Sequence, residues 1–243
     1  MSSPTSSPTS TSASPGAPVR RRRSIRATPP LRGWRTVDIL TVAFLGAAFG
    51  IAFWGWGLVY TGPLTALQVG YAPLMGLFVG PWLLAGVVGG LVVRRPGAAL
   101  FCEVVAALVS MIPGTTWGAG VLFAGVLQGL GAELAFALLG YRFFGVAAAA
   151  LAGLLSTPLE WLYETGRFPD AWAQGPVLSS FAGNGGYYAE WVWRDKLVYL
   201  GAMGLSGVVL AGVLGWLLTR ALARAGALSA FPAGQELRES RAV

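Results

Sequence analysis

Histidine is absent from the 243 residues, cysteine occurs once, and only 11% of the side chains are charged. An average soluble domain carries about 25%. Without histidine there is no imidazole general base and no histidine-ligated metal centre. Cys102, alone in an apolar run, forms neither an internal disulfide nor a thiolate cluster and reads as a small buried hydrophobe. No nucleophile–base constellation and no metal or cofactor motif stands out, so the chain does not read as an enzyme. What it has in abundance is apolar surface: 55% hydrophobic residues and a mean hydropathy of +0.63. These values describe an all-α integral membrane protein.

About 20 apolar residues cross a bilayer as a helix. Six candidate spans follow, at roughly 38–60, 73–93, 97–112, 118–140, 144–163 and 197–219. The expected fold is therefore a six-helix transmembrane bundle over 36–224. A Ser/Pro/Thr-rich, then Arg-rich, disordered tail over 1–35 precedes it, and a tail over 225–243 follows. Seven of the 17 basic residues, Arg20, Arg21, Arg22, Arg23, Arg26, Arg32 and Arg35, lie just before the first span. Such a cluster marks the cytoplasmic side, so both tails are expected in the cytoplasm of a multi-pass plasma-membrane protein. Arg94, Arg95, Arg142, Arg220 and Arg224 agree. The loop at 164–196 does not, because it must be external yet holds Arg167, Arg194 and Lys196. That loop is rich in aromatics (Phe168, Trp172, Phe181, Tyr187, Tyr188, Trp191, Trp193) and turns at Gly183–Asn184–Gly185–Gly186. It reads either as a lid or as an interfacial anchor.

Three carboxylates, Glu103, Glu133 and Glu160, lie inside apolar spans that contain no Lys or Arg to neutralise them. Each costs roughly 2.5–3.5 kcal/mol on insertion scales. They are best accommodated in a polar cavity suited to a cation or to amino donors. Gln128, Trp117 and Trp161 complete a vocabulary for a flat, donor-bearing, positively charged solute: carboxylate and amide to accept hydrogen bonds, indole to stack. Depth along the helices places Glu160 near the external end and Glu103 and Glu133 deeper, so the three need not share one site. Pro158 leaves the Leu154 carbonyl without its helical donor, which a nearby polar group can supply. The first span repeats small residues at spacing four: Ala43 and Ala47, Gly46 and Gly50, Ala48 and Ala52. Such faces dock either against another membrane subunit or within the bundle.

Two stretches are distinctive: Arg94-Arg95-Pro-Gly-Ala-Ala-Leu100 leading into Glu103-Val-Val-Ala-Ala-Leu108, and Gly125-Val-Leu-Gln128-Gly-Leu-Gly-Ala-Glu133. Together with a tail over 226–237 they resemble the YkoE family, integral membrane components of energy-coupling factor (ECF) ABC transporters. The resemblance implies a six-helix substrate-binding S component for thiamine or its hydroxymethylpyrimidine precursor. Its partners would be a transmembrane T component and two ATPase subunits. ATP hydrolysis would then occur on those subunits, because this chain has no Gly-x-x-x-x-Gly-Lys-Ser/Thr loop. It also implies T-component docking through Ala43, Ala47, Ala48 and Ala52. Ligand binding in the outer half favours Trp117, Gln128, Glu160 and Trp161, and the matched family motifs add Glu133 as a ligand acceptor and Glu103 as either a ligand or a structural group. From the residues alone, a stand-alone proton-coupled transporter of a small cationic or amino-bearing solute remains the alternative.

Overall fold

The computed structural model describes residues 33–166 and 186–241. Most of the expected N-terminal tail and the centre of the aromatic loop, with Arg167, Phe168, Asp170, Trp172, Phe181 and the Gly183–Gly185 part of its turn, lie outside these. The described residues are helical, without strands. The order is α1 (Thr36–Thr61), α2 (Thr65–Tyr71), α3 (Leu84–Val93), α4 (Ala98–Met111), α5 (Gly120–Leu138), α6 (Val146–Leu155), α7 (Thr157–Thr165), α8 (Trp193–Ser206), α9 (Leu214–Arg224) and α10 (Pro232–Arg241). Tight 3₁₀ turns over Ala72–Phe78 and Gly80–Leu83 join α2 to α3, and a π segment over Gly207–Val213 joins α8 to α9.

Among the described residues, five helical stretches are long and apolar enough to cross a membrane: Thr36–Thr61, Thr65–Val93, Gly120–Leu138, Val146–Thr165 and Trp193–Arg224. Helix α4, expected as a shorter third span at 97–112, has 14 residues. At ~1.5 Å per residue it is about 21 Å long, short of the roughly 30 Å hydrocarbon core. It is flanked by α1, α3 and α5, and Cys102, Glu103, Ala106, Ala107 and Ser110 are all buried. The second stretch begins at Thr65, earlier than its expected start at 73. Pro73 and Pro81 lack the N–H that an α-helix would bond, and each sits in the first turn of a 3₁₀ segment.

Small residues set the helix spacing. A Cβ on Gly46 would come within 2.7 Å of the Val105 Cβ, and one on Gly50 within 2.6 Å of the Val109 Cβ. This pair therefore serves packing of α1 on α4. Ala43 and Ala47 are half-buried, while Ala48 and Ala52 are exposed. At Pro158 the Thr157 hydroxyl donates to the Leu154 carbonyl at 2.8 Å, which satisfies the group the proline leaves unbonded.

Arg35, Arg94 and Arg95 gather at one end. Asp38, fully buried, takes hydrogen bonds from Arg35 and from the Arg95 Nε (2.8 Å). Arg94, also buried, donates to Glu236 Oε2 at 2.7 Å and lies over the Phe144 ring. Residues 225–241, expected as a tail, fold back here, with Leu228, Phe231 and Ala233 buried against Val93 and Ala98.

Candidate functional site

A cavity of about 280 Å³ occupies the end of the bundle away from the arginines. The C-terminal turns of α1 (Tyr60, Thr61), the N-terminal half of α5 (Gly120 to Gln128) and the end of α7 (Glu160, Tyr163, Glu164) form its walls. Trp82 and Trp117 form one side, Tyr187 and Tyr188 another, and Glu103 reaches in from α4. The volume lies just below the usual small-ligand range of roughly 300–1,000 Å³, so the occupant is small.

Glu103 enters because α4 is short: five residues in from its start, this side chain is already deep in the bundle. Its Oε2 accepts the Gly86 N–H at 2.6 Å. Its Oε1 is buried without a hydrogen-bond partner, and so is Oε2 of Glu160. An unpaired buried polar atom costs about 1–3 kcal/mol, more if charged. Glu164, one helical turn after Glu160, accepts the Tyr199 hydroxyl at 2.6 Å. No Lys or Arg is among the described residues that line the cavity. Burial pushes the phenols of Tyr187 and Tyr188 up to about 12, so both remain neutral donors. The aromatic side is built from edge-to-face or tilted pairs: Tyr60 with Trp82 (4.9 Å), Trp82 with Trp117 (5.5 Å) and Tyr60 with Trp117 (6.0 Å). Carboxylates below and aromatic faces beside them can hold a flat cation through hydrogen bonds and cation–π contact.

Of the residues singled out in the sequence, Glu103, Gln128, Glu160 and Trp117 meet on this cavity. Glu133 does not, and its reading as a ligand acceptor is revised. Its carboxylate caps the start of α4, accepting from the N–H groups of Gly97 (2.6 Å), Ala99 (3.0 Å) and Leu100 (3.3 Å) and from the Tyr141 hydroxyl. An acidic group satisfying first-turn amides is a standard helix N-terminus device. Trp161 also stands off the cavity. Its indole N–H donates to the Lys196 carbonyl at 2.7 Å, and it packs behind the wall near Val79, Tyr199 and Met203.

Lys196, the cation on the wrong side for a topology signal, has its own explanation. Its ammonium donates to the carbonyls of Thr165 (2.7 Å) and Ala189 (2.8 Å), tying the end of α7 to the Tyr187–Tyr188 turn. Sequence reasoning passed over Tyr60, Trp82, Tyr163, Tyr187, Tyr188 and Glu164 as site residues. Glu164 carried a signal in its i, i+4 stripe with Glu160, and Tyr187 and Tyr188 in the aromatic loop read as a lid or an anchor; the others carried none.

Residues 37–159 match the family model described as "ABC-type cobalt transport system, permease component". The chain belongs to this family. Over 214 residues this permease-family chain is 28% identical to a Bacillus subtilis (strain 168) protein named as an HMP/thiamine permease, YkoE, covering 87% of this chain and 96% of that one. It is also similar to a crystal structure of an S-component of an ECF transporter, with a TM-score of 0.71 and 27% identity over 86% of this chain and 95% of the other. The resemblance carried by residues 94–133 is thus borne out. Relatives that are transport components, together with five apolar helices, make this permease-family member a multi-pass protein of the plasma membrane and not an enzyme.

Proposed function

We propose that the chain is the substrate-binding S component of an ECF-type importer and that its cavity takes up thiamine or hydroxymethylpyrimidine. The observation that carries this reading is the pair of buried, unpartnered carboxylate oxygens on Glu103 and Glu160, in a cavity whose described lining holds no cation. An aminopyrimidine brings N–H donors to such oxygens, and a thiazolium brings the positive charge that offsets them. The name of the B. subtilis relative supports the same solutes.

In this reading α4 counts as a sixth, shortened span. The arginine-rich end and both termini are cytoplasmic, with tails over 1–35 and 225–243 around a membrane domain over 36–224. The exposed Ala48 and Ala52 form the docking stripe for a T component, whereas the half-buried Ala43 and Ala47 lie nearer the Gly46–Gly50 face; two ATPase subunits supply the energy.

Calorimetric titration of the purified protein in detergent tests the substrate. Saturable binding of thiamine or hydroxymethylpyrimidine is expected. Glu160→Gln should weaken it about tenfold or more, the worth of a charge-assisted hydrogen bond. No heat and no thermal shift with either compound would overturn the proposal. So would uptake into proteoliposomes that needs no ATPase subunit.

A further inference from the structure

A second cavity, of about 260 Å³, lies beside the first, between the outer half of α1 and the loop that joins α4 to α5. The two share Phe53, Thr61, Trp82, Trp117 and Val121 in their walls. Charged side chains are missing from the described lining of the second, where Ser110, Thr115 and Thr116 contribute hydroxyls and Trp54 and Leu58 contribute apolar surface. It is therefore a poor site for the cation that the first cavity suits.

The two tryptophans in the shared wall are held differently. Trp82 is anchored, its indole N–H donating to the Phe53 carbonyl at 3.3 Å. Trp117 makes no indole hydrogen bond among the described residues and is half-buried. It sits between Gly114 (φ 93°) and Gly118 (φ 54°), two left-handed positions that tolerate rotation at little steric cost. The hydrogen bonds of its loop are local: Gly114 N–H to the Met111 carbonyl, Trp117 N–H to Thr115 Oγ1 and Gly118 N–H to the Thr115 carbonyl. Across from the indole, α1 presents Gly57. A Cβ there would stand 3.2 Å from the Trp117 ring, so the missing side chain leaves the indole its clearance.

We infer that Trp117 is a gate: its indole closes the substrate cavity against Trp82 and Tyr60, and swings into the second cavity to let solute in and out. The inference rests on the first cavity being the binding site. The second cavity is then the receiving pocket, apolar with a few hydroxyls because it takes an indole and not a cation. Gly57 is a positioning residue that keeps the path clear. Lid motions of this kind run on the μs–ms scale and set exchange rates more than equilibrium affinity.

The test reads access without any substrate. Ala124 lines only the first cavity, and Gly57 and Ser110 only the second. In an Ala124→Cys, Cys102→Ala protein, the rate of labelling by ethylammonium methanethiosulfonate reports opening. Trp117→Ala should speed it at least about tenfold, equivalent to ~1.4 kcal/mol. Gly57→Val and Ser110→Leu, which fill the receiving pocket, should each slow it about threefold or more. The slowing should vanish when Gly57→Val is combined with Trp117→Ala. Parental rates in both filling variants would overturn the gate, leaving Trp117 a fixed wall. Slowing that persists undiminished in the double variant would overturn it too, making the second cavity a corridor. If labelling responds as expected while thiamine and hydroxymethylpyrimidine fail to bind, the gate stands and the substrate assignment falls.

Discussion

Glu103, Glu133 and Glu160 are one side chain in three settings, and the settings decide their work. Glu133 has three backbone N–H groups and a phenol to satisfy it. Glu103 has one N–H for one oxygen, and Glu160 keeps an oxygen unpaired. Glu133→Ala should therefore lower stability by about 1–2 kcal/mol, as loss of a helix cap does. Its ligand affinity should stay within about twofold, the scale of an indirect effect. Thermal unfolding and titration of the same preparation check both halves; a large loss of affinity at unchanged stability would return Glu133 to the binding site. The spacing of Gln128 and Glu133, about 140° apart around the helix, already implies that they face different surroundings. Which of the two meets the cavity is not in that spacing, because it depends on where α4 starts.

Helix α1 shows the same division at the scale of an element. Its small residues fall on two stripes with the same spacing in the sequence, and the fold uses them differently. The Gly46–Gly50 stripe admits α4 to within backbone contact, whereas Ala48 and Ala52 face outward. Gly50→Val should destabilise the isolated protein by about 1–3 kcal/mol through overpacking. Ala52→Val should leave it within about 0.5 kcal/mol, as surface changes do. Unfolding in detergent separates the two. If the outward stripe docks a T component, a bulkier Ala48→Trp should abolish co-purification with that subunit while substrate titration stays unchanged. A similar close approach holds α6 against the π segment, where Gly153 and Gly207 leave no room for a Cβ on either side. The α6–α7 stretch, interrupted at Ser156, accommodates its proline because Thr157 supplies the missing donor. The sequence flags the unbonded carbonyl, and the geometry identifies which hydroxyl answers it.

For the whole molecule, charge and aromatic content divide the bundle into two ends. One holds the Arg35–Asp38–Arg95 group and the Arg94–Glu236 pair. The other holds the cavity and its aromatic wall. Arg94 is 4% exposed and Glu236 51%, so the pair is worth more to the buried arginine than to its partner. Glu236→Ala should cost about 1–3 kcal/mol, the value of a hydrogen bond to a charged group, and should free α10 from the bundle. Protease protection of the C-terminal residues checks this, with unchanged protection counting against it. Orientation is tested in intact cells. A cysteine at Thr116 should react with a membrane-impermeant maleimide and one at Arg142 should not; the reverse would invert the topology.

Composition alone determined that the chain is helical and membrane-embedded, since 55% apolar and 11% charged residues cannot be kept in water as an ordinary soluble domain. Residue pattern determined most helix ends to within a few positions, but missed the early start of the second stretch at Thr65 and the helix inside the expected C-terminal tail; three unneutralised glutamates announced a polar interior. Tertiary structure alone decided that Glu103 and Glu160 share a cavity with Glu164 while Glu133 caps a helix. It also decided that Lys196 is held by two carbonyls behind an aromatic wall. The physical reason is that hydrophobicity is a property of each segment, summed along the chain. Hydrogen-bond satisfaction is a property of neighbours, and neighbours are set by helix length, start and packing distance.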